Sequence, residues 1–133
     1  MTNEIKVKDC IKTVTMYRPV GKNELKLIED SGFTAYPPRL PDQPIFYPVL
    51  NEAYARQIAK DWNSRLNTDK EGYVTKFAVR KSVADKYKPE IVGGKMHEEI
   101  WVPAEELSDF NAAFVGKIEV IAKYENDELV WEK

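Results

Sequence analysis

Apolar residues recur along this chain with two periods, and the period changes several times. From Thr13 to Val20 (TVTMYRPV) β-branched and aromatic residues dominate, which predicts a strand closed by Pro19. Gly21 turns the chain into a helix near Asn23–Asp30, where Asn23 is an N-cap, Leu25 and Ile28 lie three apart, and Gly32 suits the position just past the end. Phe33 to Pro48 holds Pro37, Pro38, Pro41, Pro44 and Pro48, five of the chain's eight prolines. That density rules out a central helix and predicts an extended, pre-ordered loop, expected to wall the main pocket, with Ile45-Phe46-Tyr47 as a short strand inside it. Asn51 then caps the clearest helix, Glu52–Trp62, with Tyr54, Ala55, Ile58, Ala59 and Trp62 on one face.

The second half repeats the alternation. Tyr73 to Lys81 places Tyr73, Thr75, Phe77 and Val79 on one face of a strand. Val83 to Tyr87 suggests one helical turn, Gly93-Gly94 a turn, and Glu99 to Val102 a short strand. Pro103 opens a helix over Ala104–Phe114, in which Leu107, Phe110 and Phe114 recur at helical spacing. Lys117 to Tyr124 alternates Ile118, Val120, Ala122 and Tyr124 on one face, and Asn126-Asp127 turns the chain back into a hairpin strand near Leu129. The order of elements is mixed, not strictly βαβ. It predicts one α+β domain over residues 1–133: a mixed, mainly antiparallel sheet with about three helices. The expected core is Ile58, Trp62, Phe77, Leu107, Phe110, Ile118 and Val120.

Composition narrows the function classes. The chain has 133 residues, 43% hydrophobic and 32% charged, which suits a globular domain and not a disordered one. Its 20 basic and 22 acidic residues are interspersed, so binding of nucleic acid by bulk electrostatics is not expected. No apolar run approaches a membrane span and the first residues lack an apolar leader segment. Cys10 is the only cysteine, so no intramolecular disulfide forms. A soluble, cytoplasmic protein is the expectation.

Several motifs are missing: no Gly-rich dinucleotide loop, no Walker A loop, no paired cysteines, and too few His and Cys for a zinc site. What stands out is His97-Glu98-Glu99-Ile100-Trp101-Val102-Pro103. In a strand, His97, Glu99 and Trp101 share one face. A carboxylate beside an imidazole and an indole is either a site or a solvated strand end. Arg18 is either a bidentate phosphate clamp or a strand-edge cation paired with a carboxylate. Tyr47 is either a ligand-facing ring or packing under the proline-rich loop, Arg39 a ligand contact or a solvated loop residue. Trp62 reads as core, and Cys10 as an unactivated thiol.

These pieces resemble the ADP-ribosyltransferase-like superfamily. An early strand carries Met16-Tyr17-Arg18, and a helix ends in Leu27-Ile28-Glu29-Asp30-Ser31-Gly32. Ile45-Phe46-Tyr47 then leads to Ala53-Tyr54-Ala55, and Glu99 opens a later apolar segment. The stretches YRPVG, PIFYPVLNEAYARQIAKDWN, HEEIWVPAEEL and VGKIEV also resemble a small group of uncharacterised bacterial proteins labelled ADP-ribosylation/crystallin-related. The resemblance implies NAD as cofactor and cleavage of its N-glycosidic bond. Glu99 would be the catalytic carboxylate, Arg18 and Tyr47 would position the dinucleotide, and His97 would sit at the rim. It implies a nucleotide-type small molecule and a protein acceptor as partners. The chain departs from the family pattern at Arg18, where one class has His, and at His97, where arginine-modifying members have Glu or Gln. The alternative is a non-catalytic ligand- or protein-binding module.

Overall fold

The computed structural model describes residues 12–42, 44–64, 70–91 and 97–133; Cys10 and the Gly93-Gly94 turn lie outside them. Strand β1 (Thr13–Val20) leads into helix α1 (Lys22–Asp30). The proline-rich stretch follows, with β2 at Ile45–Phe46. Helix α2 (Glu52–Ile58) is capped by the Asn51 side chain, which accepts from the Tyr54 amide at 3.0 Å, and it runs on as a π turn over Ala59–Asn63. Next come β3 (Glu71–Arg80), the one-turn α3 (Lys81–Ala84), and the two-residue strands β4 (Glu90–Ile91), β5 (Glu98–Glu99) and β6 (Val102–Pro103). A 3-10 turn (Ala104–Glu106) opens α4 (Leu107–Ala112), and the hairpin β7 (Glu119–Glu125) and β8 (Glu128–Glu132) follows. Asn126 and Asp127 take positive φ in the hairpin turn, as short polar side chains tolerate. The α+β class holds, and every strand pairing among the described residues is antiparallel.

The main sheet has the order β1-β3-β7-β8 and is covered on both faces. Met16, Val20, Tyr73, Phe77 and Val79 pack on one side with Leu25 and Ile28 of α1, Tyr36, Phe46, and Leu107 and Phe110 of α4. Val74, Ile121, Ala122 and Tyr124 pack on the other with Ala55 and Ala59. The proline-rich stretch is held by Tyr36, which is fully buried. Asn111 of α4 binds both its backbone groups, at 3.1 and 3.0 Å. The buried Thr75 hydroxyl donates to the Arg18 carbonyl at 2.7 Å, so its contact with Tyr36 Oη, also 2.7 Å, uses the tyrosine proton. Burial keeps that phenol neutral to well above its ordinary pKa.

Three expectations are corrected. Glu99 to Val102 is not one strand: Pro48 lacks a donor on the facing chain, and the ladder breaks there into β5 and β6. Lys117 to Tyr124 does not present one face. The β3–β7 register slips between Val74 and Thr75, leaving Ile121 as an extra residue. Ile118 and Val120 therefore pack with the first cluster and Ile121, Ala122 and Tyr124 with the second. Trp62 is not core but 62% exposed, because the π turn changes the helical phase just before it. Of the other expected core residues, Phe77, Leu107, Phe110 and Ile118 are buried, while Ile58 and Val120 are half-buried.

No helix among the described residues is long and apolar enough to cross a membrane.

Candidate functional site

The segments around β2 and β5 run antiparallel in a single register. Ile45 faces Pro103, Phe46 faces Val102 and Val49 faces Glu99, which sets Tyr47 opposite Trp101. Pro48 still accepts from the Ile100 amide at 2.9 Å, and Leu50 donates to the Glu98 carbonyl at 3.0 Å. This ribbon docks on the free edge of β1, where Tyr17 and Val49 exchange both backbone hydrogen bonds at 2.8 Å. The end of β1, the ribbon and helix α2 therefore meet.

At that meeting point Arg18, Pro19, Tyr47, Val49, Ile58, Asn63 and Glu99 line one cavity of about 260 Å³. Three of the residues singled out from the sequence, Arg18, Tyr47 and Glu99, are thus brought together. His97 is close by: its ring stacks on Tyr54 with centroids 4.2 Å apart and planes 13° from parallel.

The Glu99 carboxylate is held by two neutral donors. Trp101 Nε1 donates to one oxygen at 2.9 Å and the Tyr54 hydroxyl to the other at 3.3 Å. No Lys, Arg or His pairs with it among the described residues, so its charge is offset by dipoles alone. Burial, and then the Glu99 charge beside it, push the Tyr54 phenol above its ordinary pKa, which keeps it a donor at neutral pH. Tyr47 and Trp101 meet edge to face, 6.2 Å apart at 90°, and both remain partly exposed.

Arg18 is differently engaged. Its guanidinium forms a fork on Glu24 of α1, Nε to Oε2 at 2.7 Å and Nη2 to Oε1 at 3.0 Å, and lies 4.7 Å over the Phe46 ring. Nη1 also reaches the Tyr47 carbonyl at 3.5 Å. Arg39 lies over the same ring at 6.0 Å. Its pKa is lowered, first by burial and then by the neighbouring Arg18 charge. Two cations and one carboxylate therefore flank Phe46 next to the cavity.

Asn63 was not anticipated. It closes the π turn, lines the cavity, and buries its Oδ1 without any hydrogen-bond partner. Polar residues after a helix ordinarily signal a loop, and nothing local announces a π turn. Tyr54 and Glu24 were missed as well, because their roles depend on which segments become neighbours. A second cavity of about 670 Å³ lies between the proline-rich stretch and α4, lined by Thr34, Tyr36, Pro38, Leu107, Asn111 and Phe114 among others. The proline-rich stretch thus contributes to both cavities. Among the described residues no group of three or more His, Cys, Asp or Glu is arranged to hold a metal ion. No family model, no curated protein and no solved structure matches the chain.

Proposed function

We propose that the chain binds a nucleotide-type ligand of the NAD or ADP-ribose kind, with the ribosyl end in the Glu99 cavity. The observation that carries this reading is the convergence of Arg18, Tyr47 and Glu99, from three separated segments, on one concave surface. A volume of about 260 Å³ admits one ring-sized part of such a ligand and leaves the rest outside. Glu99, held by Trp101 and Tyr54, has lone pairs left to accept from a ribose hydroxyl, and Tyr47 offers a partly exposed aromatic face. Arg18 lines the cavity and is the cation that a ligand phosphate would meet there.

In the catalytic form of this reading, the bond between the ribose C1′ and the nicotinamide nitrogen breaks. Its electron pair neutralises the pyridinium ring. The ribosyl cation that develops is stabilised by the Glu99 carboxylate and captured by water or a protein nucleophile. Calorimetric titration with NAD and ADP-ribose, run alongside a nicotinamide-release assay, tests it. Binding of either ligand with release of nicotinamide supports the enzyme, and binding without release supports a non-catalytic nucleotide module. Absence of binding by both at millimolar concentration removes the reading.

One observation favours a second reading, a protein-binding module. Strand β8, which pairs only with β7 among the described residues, exposes Leu129, Val130 and Trp131 together.

A further inference from the structure

The ribbon formed by the segments around β2 and β5 has an inner and an outer face. Alternation sends Phe46, Pro48, Ile100 and Val102 inward, where all four are buried. The outer face then carries Tyr47 opposite Trp101 and, two residues along, Val49 opposite Glu99. Val49 is covered where the ribbon docks on β1, but Tyr47 and Trp101 stay 41% and 48% exposed. Two large aromatic rings and a carboxylate thus share one face of a braced ribbon.

The rings meet at 90° with centroids 6.2 Å apart, so two perpendicular planes bound a re-entrant corner. Glu99 adjoins both rings. Trp101 Nε1 donates to its Oε1 at 2.9 Å, which fixes the indole beside the carboxylate, and Tyr47 lines the same cavity as Glu99. The Tyr54 hydroxyl donates to Oε2 at 3.3 Å. Both donors are neutral, and no Lys, Arg or His pairs with Glu99 among the described residues. Arg18 also lines the cavity, but its charge is matched by the fork on Glu24 at 2.7 and 3.0 Å.

The protein's own cations lie over other rings: Arg18 and Arg39 over Phe46, and Lys123 over Tyr73. Among the described residues none lies over Tyr47 or Trp101. An aromatic face attracts a cation through the negative charge above its ring, and indole does so most strongly. A carboxylate whose charge is met only by dipoles attracts one as well. Each Glu99 oxygen already accepts a hydrogen bond. The cation that fits best therefore carries charge without N–H donors, and apolar groups to lie on the rings.

We infer that the Tyr47–Trp101–Glu99 corner is a site for an alkylated ammonium group, of the trimethylammonium kind, carried by a small molecule. The methyl groups lie against the two rings, Glu99 balances the charge, and the adjoining cavity of about 260 Å³ takes the rest of the ligand. The inference goes beyond the nucleotide reading: it uses the same carboxylate but needs neither ribose nor phosphate.

The test follows the indole N–H resonances by NMR during titration, with sodium chloride at equal ionic strength as the reference. The Trp101 signal is assigned by its loss in Trp101→Phe. Choline and tetramethylammonium should shift it. The neutral isostere of choline, with a tert-butyl group in place of trimethylammonium, should bind roughly tenfold or more weakly. That comparison uses the wild-type protein and stands whatever the variants do. Tyr47→Leu should weaken choline binding about fivefold, while Tyr47→Phe keeps the ring and should stay within about twofold. Glu99→Gln should weaken it about tenfold. A trimethyllysine peptide should bind no more tightly than free trimethyllysine; a clear preference for the peptide overturns the small-molecule assignment. No shift of the Trp101 signal at about 50 mM choline, well above the millimolar range expected for so small a ligand, overturns the inference. So does equal binding of choline and its neutral isostere. The two readings fail separately. NAD binding with no response to choline keeps the nucleotide reading and removes this one. Choline acting at Trp101 without any binding of NAD keeps this one and removes the other.

Discussion

Gly72 lies so close to Ala59 that a Cβ on the glycine would stand 2.3 Å from the alanine carbonyl oxygen. That oxygen belongs to the π turn, and it is backbone, which yields less readily than a side chain. Gly72→Ala should therefore destabilise the protein by about 2–3 kcal/mol, in the range of core overpacking. Its denaturant midpoint measures this, and an unchanged midpoint would show that the turn moves aside freely.

The π turn also governs the exposure of Trp62. Trp62, Trp101 and Trp131 are all at least 40% exposed. The native fluorescence should be that of hydrated indole and should shift little on unfolding. Deleting Asp61 removes the extra residue of the wide turn and should return Trp62 to the inner face of the helix. Its emission should then move to shorter wavelength, and an unmoved spectrum would refute the phase argument.

Arg18 and Glu24 keep 11% and 20% of their side-chain surface. Glu24→Ala leaves the guanidinium unpaired against Phe46 and should cost about 3 kcal/mol. Replacing the pair together, with Arg18→Met and Glu24→Leu, should cost clearly less, because no orphaned charge remains. Chemical denaturation of both variants decides the matter: equal losses would mean that the pairing itself contributes nothing special.

What could be read from the sequence was whatever a local period encodes. The strand at Thr13–Val20 matches its expected bounds, and α2 starts at its Asn51 cap; α1 begins at Lys22 with Gly21 as its N-cap, so Asn23, expected to cap it, lies inside the helix. Phe77, Leu107 and Phe110 are buried as their spacing requires. Period fails wherever a residue is added to the count. The extra Ile121 in β7 and the wide turn before Trp62 both shift the phase, and neither leaves a mark in composition. The site was half legible for a similar reason. Glu99, His97 and Trp101 share a face by simple alternation. That Tyr54 would donate to Glu99, that Glu24 would take the Arg18 fork, and that Asn63 would turn inward depend on tertiary neighbours.

Acid stability offers a test at Glu71. The Tyr73 hydroxyl donates to this carboxylate, and Lys22 and Lys123 lie 3.8 Å away, which together hold its pKa below the ordinary carboxylate value. A depressed folded pKa contributes stability above the unfolded value, near pH 4.5, and that contribution is lost as pH falls through the lower folded value. Tyr73→Phe removes the main cause. Its stability should decline less steeply below pH 4.5 than that of the wild type, as followed by urea midpoints across the acid range. Parallel acid limbs would mean that the lysines, not the phenol, set the shift.

Tyr54 and Glu99 give the corresponding test at the cavity. The Tyr54 phenol is raised by burial and by the Glu99 charge, so ionising it in the folded protein is disfavoured. A raised folded pKa contributes stability below the unfolded value, near pH 10, and loses it as pH rises through the folded value. Glu99→Gln keeps the shape of the side chain and removes its charge. Only the burial part of the shift then remains, so Tyr54 should ionise at lower pH, and the alkaline loss of stability should span a narrower interval. Difference absorbance of the phenolate between wild type and Tyr54→Phe, with and without the Glu99 change, isolates this residue from the other tyrosines. The same variant bears on turnover. If the Glu99 carboxylate stabilises a ribosyl cation, nicotinamide release should fall by about 10²–10³-fold while NAD binding persists. A variant that shows the phenolate shift yet releases nicotinamide at the wild-type rate would place the Glu99 charge beside Tyr54 as described, and would remove it from the chemistry.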